Sequence, residues 1–237
     1  MSSSENQPRE RSMMIEVIVV FLLLVHSTVQ AEESVDEYAA AIAFATKVSQ
    51  AAVRYANLPG LSLSVGIGDE LIWAAGFGYS DLEQKVPVTP ESKFRIGSVS
   101  KTLTASAIGV LVERGQLDID RDISDYVPTF PKKRWPISVR QVAGHLAGIR
   151  GYLGDEFYST ERYDSVIDPI SVFSNDPLTF EPGTKYEYTT YGWTVVSAAV
   201  ESAAGRPFLD FLQAEVLDPL DMDDTIADFS TRLVPNR

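Results

Sequence analysis

Apolar residues recur at helical spacing in several segments of the chain and alternate with polar residues in one early segment. Residues 34–57 carry a stripe of mostly small apolar side chains, which predicts a packing helix that ends before Pro59-Gly60. Apolar and small residues then alternate over residues 61–67, and a second apolar run covers residues 71–79. The turn signal Gly68-Asp69-Glu70 lies between the two runs, so a β-hairpin is predicted.

Four later segments have helical patterns. An apolar run follows Ser98 and stops at Gly115, and shorter patterns predict helices over residues 137–146, 191–204 and 207–217. A polar loop is predicted over residues 81–92. Residues 152–177 are irregular and rich in Tyr, Asp and Ser, which is consistent with a lid or a substrate-binding loop.

Composition and charge narrow the possible functions. The chain has 237 residues, of which 45% are hydrophobic and 22% charged, enough for one domain or two intertwined ones. A net charge of −13 argues against nucleic acids and anionic membrane surfaces as partners. The chain has no cysteine, and its only histidines are His26 and His145, so no metal site is expected. No organic cofactor is expected either; the expected partner is a small-molecule or peptide substrate.

The first 31 residues have the features of a targeting segment. Arg9 and Arg11 precede an unbroken apolar run over residues 17–25, and Val29-Gln30-Ala31 has small residues where a signal peptidase cleaves. We expect a signal peptide that is cleaved after Ala31, or alternatively an uncleaved membrane anchor. Either would place the remainder outside the cytoplasm, in the periplasm or in the extracellular medium.

An acidic stretch follows the first long helix. Its four aspartates suggest calcium binding, but the spacing lacks the central Gly and terminal Glu of the helix-loop-helix calcium motif. We therefore expect a solvated turn at Asp118, Asp120, Asp122 and Asp125.

The motif S-x-x-K, formed by Ser98 and Lys101, is the strongest chemical signal in the chain. Residues three apart on a helix share a face, so the hydroxyl and the amine can meet. A desolvated lysine can take the proton of a serine, which is otherwise a poor nucleophile. A helix N-terminus also offers free N–H groups where an oxyanion would form. The alternative is a capping serine beside a solvated lysine.

His145 lies in the segment Gly144-His145-Leu146-Ala147-Gly148 and permits two interpretations. It could take part in catalysis, or it could be a loop histidine that bonds to the backbone. We prefer the second, because no Asp-His-Ser ordering supports a triad.

Five segments, taken in order, resemble the serine β-lactamase and penicillin-binding protein superfamily. Within it they resemble the class C-like branch, which includes D-alanyl-D-alanine carboxypeptidases, esterases and β-lactamase-like serine proteases. S-x-x-K is a known signature of the superfamily. The segments are F-R-I-G-S-V-S-K-T at 94–102, G-Q-L-D-I-D at 115–120, H-L-A-G-I at 145–149, E-P-G-T-K-Y-E-Y at 181–188 and L-D-P-L-D-M-D-D-T at 217–225.

The resemblance implies three catalytic residues: Ser98 as nucleophile, Lys101, and Tyr188 as the partner acid and base. Tyr188 begins the equivalent of a second motif, Y-x-N, which here reads Tyr188-Thr189-Thr190. A phenol, with an ordinary pKa of about 10, can act near neutrality if a cation such as that of Lys101 favours the phenolate. Thr190, the implied substrate-binding residue, replaces Asn, so it keeps a hydroxyl but loses two amide donors.

The superfamily's third motif, [KH]-[ST]-G, is not found after Thr190. In the superfamily it lies on a late strand and supplies a second oxyanion donor, whose loss costs about 10²- to 10³-fold in rate in other enzymes. Without late strands, the hairpin would be marginal and would leave an open edge and an open apolar face. We therefore expect a C-terminally truncated member of the superfamily.

The expected fold is α/β plus α, of the β-lactamase/transpeptidase type, with the C-terminal strands of the sheet missing. The β-lactamase-related domain would cover residues 32–237. Its α/β part would combine residues 34–97 and 206–237, and its helical part would cover residues 98–205.

The expected function is that of a serine hydrolase which forms an acyl-enzyme on Ser98. The substrate would contain a peptide, ester or β-lactam-type carbonyl, as for a carboxypeptidase-like or protease-like enzyme. The alternative is a catalytically inactive fragment or pseudoenzyme that binds a peptide or a protein partner.

Overall fold

The computed structural model describes residues 37–237, which form two compact units. The first unit contains residues 37–94 together with Leu233–Arg237, and the second contains Arg95–Arg232. The predicted signal peptide or anchor, residues 1–31, lies outside the described residues.

The first unit combines one helix with a small antiparallel sheet. Helix α1 covers residues 37–55. The sheet has the order β1-β2-β3, with strands β1 (Gly60–Ile67), β2 (Glu70–Asp81) and β3 (Val86–Pro87). The predicted hairpin is confirmed by the pairing of β1 with β2. Strand β3 lies inside the segment that we predicted as a polar loop, and a two-residue strand is too short to show an alternating pattern.

A close backbone approach holds the end of β3 against β2. A Cβ at Gly76 would lie 2.1 Å from the carbonyl oxygen of Val88, which is far inside van der Waals contact. Val88 is buried, and its N–H donates to the carbonyl of Gly78 at 3.1 Å. The absence of a side chain at Gly76 therefore lets the chain after β3 cross over β2.

The second unit is mostly helical. Its helices are α2 (Ser100–Glu113), α3 (Val139–Ala143), α4 (Thr190–Ala204) and α5 (Phe208–Leu212), and α5 continues as a π-helical turn over Gln213–Leu217. Single 3-10 turns cover Gly97–Val99, Ile123–Asp125, Gly154–Tyr158, Asp168–Val172 and Asp218–Leu220.

Two of the predicted helices end where local chemistry stops them. Helix α3 is shorter than the predicted 137–146, because a capping box between Ser138 and Gln141 begins it and His145, with φ +61°, follows it. Helix α4 ends at Gly205, whose φ of +66° is favourable for a glycine.

Helix α4 is the centre of the hydrophobic core. Its inner face is fully buried at Val195, Val196 and Val200. The core around it contains residues from the other helices, among them Ala107, Leu111, Val139, Val142, Phe208 and Phe211. Because Phe208 and Phe211 belong to this core, residues 206–232 group with the helical unit, which differs from the predicted division.

In residues 37–237 there is no helix that is long and apolar enough to cross a membrane.

The buried core predicts a difference between two leucines. Leu111 is fully buried and Leu209 is 41% exposed. We expect Leu111→Ala to lower the free energy of unfolding by about 2–5 kcal/mol, because it leaves a cavity, whereas Leu209→Ala should cost far less. Urea unfolding followed by circular dichroism measures both variants. Equal losses would contradict the core described here.

Candidate active site

Ser98 lies in a 3-10 turn that leads directly into α2. The turn, Gly97–Val99, is entered through Gly97 at φ +51°. Lys101 is the second residue of α2, and its Nζ donates a hydrogen bond to the Ser98 Oγ at 3.0 Å. The structure therefore brings together the hydroxyl and the amine of the S-x-x-K motif, although Ser98 precedes the α-helix rather than lying in its first turn.

Tyr188 reaches the same oxygen from a segment 90 residues further along the chain. Its hydroxyl donates to the Ser98 Oγ at 2.7 Å, and the Lys101 Nζ lies 5.1 Å from the centre of its ring. The side chain is half exposed. The three predicted catalytic groups thus meet at one oxygen atom.

The contacts of Tyr188 change its acidity. The hydrogen bond with Lys101, and after it the hydrogen bond with Ser98, lower the pKa of the Tyr188 phenol below its ordinary value. A hydrogen-bond donor and a positive charge both favour the phenolate. The phenol is therefore better suited to exchange a proton with Ser98 than a free tyrosine would be.

Ser98 also presents a candidate oxyanion donor. Among the backbone hydrogen bonds that residues 37–237 form outside regular helices and strands, none has the Ser98 N–H as its donor. The hydroxyl of the neighbouring Ser100 already has a partner, because it donates to the carbonyl of Gly97. The Ser98 N–H is therefore a candidate donor to a substrate oxygen.

Thr190, the predicted substrate-binding residue, is the first residue of α4 and is partly buried. Its neighbour Thr189 is buried, and its hydroxyl donates to the carbonyl of Arg150 at 2.7 Å. Nothing in the geometry tests the contact of Thr190 with a substrate, which stays a prediction.

His145 lies beside Tyr188 and bonds to the backbone, as the second interpretation of the sequence expected. Its Nδ1 accepts from the Thr189 N–H at 3.2 Å. Burial, and after it the charge of Lys101, lowers the pKa of His145 below its ordinary value.

A charge network that sequence reasoning missed holds the irregular segment after His145. The guanidinium of Arg150 contacts the carboxylates of Glu156 and Asp176, and the Glu156 carboxylate also accepts from the Leu153 N–H and the Tyr191 hydroxyl. The pairs between side chains are 6, 26 and 35 residues apart in the chain, so no local pattern indicates them. The segment predicted as a lid or substrate loop is therefore hydrogen-bonded to the first turn of α4.

Three aspartates of the acidic stretch form hydrogen bonds or ion pairs with other protein groups. Asp120 pairs with Arg140, Asp125 pairs with Arg121, and Asp122 caps the 3-10 turn by accepting from the Ser124 N–H. In the described part of the chain, no group of three or more potential ligand residues could hold a metal ion.

The fold and the site agree with one family. The Beta-lactamase family model matches residues 45–230, which is most of the chain, and the chain belongs to that family. It is a β-lactamase-like member of the serine β-lactamase and penicillin-binding protein superfamily.

Two curated relatives and one solved structure illustrate the similarity. The mitochondrial serine β-lactamase-like protein LACTB of Homo sapiens is 29% identical, and the alignment covers 76% of this chain and 45% of LACTB. Penicillin-binding protein 4* of Bacillus subtilis is 27% identical over 72% of this chain and 38% of the relative. EstCE1, described as a hydrolase with promiscuous acyltransferase activity, is 26% identical and superposes with a TM-score of 0.67. The superposition covers 81% of this chain and 52% of the EstCE1 chain.

The chain spans less than half the length of these two curated relatives. The solved structures of the superfamily share the β-lactamase/transpeptidase fold with it, so the fold class predicted from the sequence is confirmed.

The Arg150 network predicts a loss of stability at acid pH. Arg150, followed by the Leu153 N–H, lowers the pKa of Glu156 to about 2. A carboxylate with a depressed pKa stabilises the fold above its ordinary pKa of about 4.5 and loses that contribution as the pH falls towards 2. We expect Glu156→Gln to lower the melting temperature at pH 7 but to remove part of its decline below pH 4.5. The exposed Glu113→Gln is the control, and parallel curves for all three proteins would contradict the network.

Lys101 is expected to control the acidity of Tyr188. Lys101→Met removes the hydrogen-bond donor and the charge, so the pKa of the Tyr188 phenol should rise towards its ordinary value. The measurement is a titration of ¹³Cζ-labelled tyrosine by NMR, with Tyr188→Phe to assign the signal. Lys185→Met, at a lysine that pairs with Glu187, is the matched control. An unchanged Tyr188 titration in Lys101→Met would refute the assignment.

Proposed function

We propose that the protein is a serine hydrolase that forms an acyl-enzyme on Ser98. The observation that carries the proposal is the pair of hydrogen bonds at the Ser98 Oγ, from Lys101 at 3.0 Å and from Tyr188 at 2.7 Å. A nucleophile within hydrogen-bond reach of a base, which is itself oriented by a third group, is the arrangement that nucleophilic catalysis requires.

Acylation starts with transfer of the Ser98 hydroxyl proton to the Tyr188 phenolate, which Lys101 stabilises. The Ser98 Oγ forms a bond to the substrate carbonyl carbon, and the carbonyl electron pair moves to the oxygen, where the Ser98 N–H donates to it. The intermediate collapses, the bond to the leaving group breaks, and the leaving group takes the proton from Tyr188.

Deacylation repeats these steps with water. The Tyr188 phenolate takes a proton from water, the hydroxide oxygen bonds to the acyl carbon, and the ester bond to the Ser98 Oγ breaks. The Ser98 oxygen recovers its proton from Tyr188. The products are a carboxylic acid and the free enzyme.

The substrate class that we propose is a peptide, ester or β-lactam-type carbonyl compound. Support comes from the family, and from the hydrolase EstCE1 and the penicillin-binding protein among the similar proteins. Thr190 offers a hydroxyl where the motif of the superfamily has an amide, so recognition of a substrate amide would rest on fewer donors.

We further propose that the protein works outside the cytoplasm after cleavage at Ala31. The support is the sequence of residues 1–31. The LACTB relatives are named mitochondrial, so organelle import is the competing destination.

The test is intact-mass spectrometry of the protein from its native source, with and without a fluorophosphonate probe. We expect one adduct, mapped to Ser98 by peptide sequencing, and none in Ser98→Ala. Ser100→Ala is the matched control and should label normally. Tyr188→Phe should label about 10²- to 10⁴-fold more slowly, the usual contribution of a general acid or base.

The outcomes separate the readings. An adduct on a chain that starts at residue 32 supports both the catalytic proposal and the cleavage. Intact protein that carries no adduct, and turns over no ester, amide or lactam, would favour the alternative, a non-catalytic protein that binds a peptide or a protein partner.

A further inference from the structure

His145 holds the chain on both sides of Tyr188. Its carbonyl oxygen accepts from the Glu187 N–H at 3.0 Å, and its Nδ1 accepts from the Thr189 N–H at 3.2 Å. These two donors belong to the residues immediately before and after Tyr188. One residue therefore fixes the backbone from which the phenol projects.

The ring of His145 also contacts the ring of Tyr188. Their centroids are 4.4 Å apart at an interplanar angle of 35°. The Tyr186 ring meets His145 edge-on at 5.8 Å. Since Tyr188 is 49% exposed, the contact with His145 restricts a side chain that is half open to solvent.

The surroundings of His145 oppose its protonation. The Thr189 N–H and the Trp193 indole N–H, at 3.2 and 3.3 Å, approach different ring nitrogens, and both groups are donors only. A neutral imidazole can accept one of these bonds and an imidazolium can accept neither.

The ring of His145 has charged and titratable neighbours. Those that face it are Lys101, Tyr186 and Tyr188. The nearby carboxylate of Glu187 accepts from Lys185 instead. Burial, and after it the charge of Lys101, lowers the pKa of His145, which favours the neutral imidazole.

We propose that His145 is a positioning residue, which as a neutral imidazole holds the Tyr188 hydroxyl in its hydrogen bond to Ser98. Its effect on rate rests on the proposed function, whereas its effect on the orientation of Tyr188 does not. A displacement of about 1 Å at a reacting group can cost about 10²-fold in rate, so loss of this support should be measurable.

Two variants of His145 test the proposal. His145→Phe keeps an aromatic ring but loses the acceptor for the Thr189 N–H. His145→Asn keeps a side-chain acceptor and tolerates the positive φ at this position, so it should recover part of the function and secures the test if the Phe variant does not fold.

The first readout is the rate of Ser98 labelling by a fluorophosphonate. We expect His145→Phe to slow labelling by about 10- to 100-fold with little change in probe affinity, and His145→Asn to recover part of the rate. In a Tyr188→Phe background, His145→Phe should add almost nothing, because the group that it positions is gone. A full additional loss in that background would overturn the proposal.

The second readout does not depend on activity. A ¹³Cζ-tyrosine NMR titration distinguishes Tyr188 among the 10 tyrosines by its absence in Tyr188→Phe. In folded His145→Phe or His145→Asn, the pKa of Tyr188 should rise as its contacts with Lys101 and Ser98 loosen, and more so in the Phe variant. An unchanged Tyr188 titration overturns the proposal, whatever the rate. A shifted titration in a protein that hydrolyses nothing supports the positioning role and rejects the proposed function instead.

Discussion

The contact between Tyr188 and the Ser98 hydroxyl depends on the packing of α2 against α4. Ser98 lies two residues before the start of α2, and Tyr188 lies two residues before the start of α4. A hydrogen bond between residues 90 positions apart requires the N-terminal ends of both helices to lie side by side. The buried faces of the two helices maintain that register, so core packing is what places the phenol on the serine. Both helix dipoles then present their positive ends near Ser98 and Tyr188, which favours negative charge there.

The pKa values of two tyrosines three residues apart are shifted in opposite directions. The hydrogen bond with Lys101 stabilises the phenolate of Tyr188 and so lowers the pKa of its phenol. Burial, and after it the hydrogen bond to Glu156, raises the pKa of Tyr191 to about 12. Titratable groups whose environments separate their pKa values mark distinct roles. Tyr191 donates to the Arg150 network, whereas the pKa of Tyr188 is shifted in the direction that suits proton exchange.

Local patterns in the sequence were sufficient for the helices, the hairpin and the contact between Ser98 and Lys101. An i, i+3 spacing is enough to bring a hydroxyl and an amine together. The partnership with Tyr188 came from resemblance to a superfamily, because no periodicity connects positions 98 and 188. A bond to the backbone was expected for His145, but its partner Thr189 was not. That partner and the Arg150 network depend on tertiary packing, so propensity and spacing could not predict them. Strand β3 was missed for the opposite reason, since two residues carry no period.

The contact between Gly76 and Val88 has a consequence for divergence within the family. Any side chain at position 76 would collide with a backbone oxygen rather than with a movable group, so neighbouring residues cannot compensate by changing rotamer. Related chains that keep the crossing after the third strand should therefore retain glycine at this point. Where a relative has another residue there, the segment equivalent to 82–88 should follow a different path. One position thus reports on the course of a loop in sequences for which no structure exists.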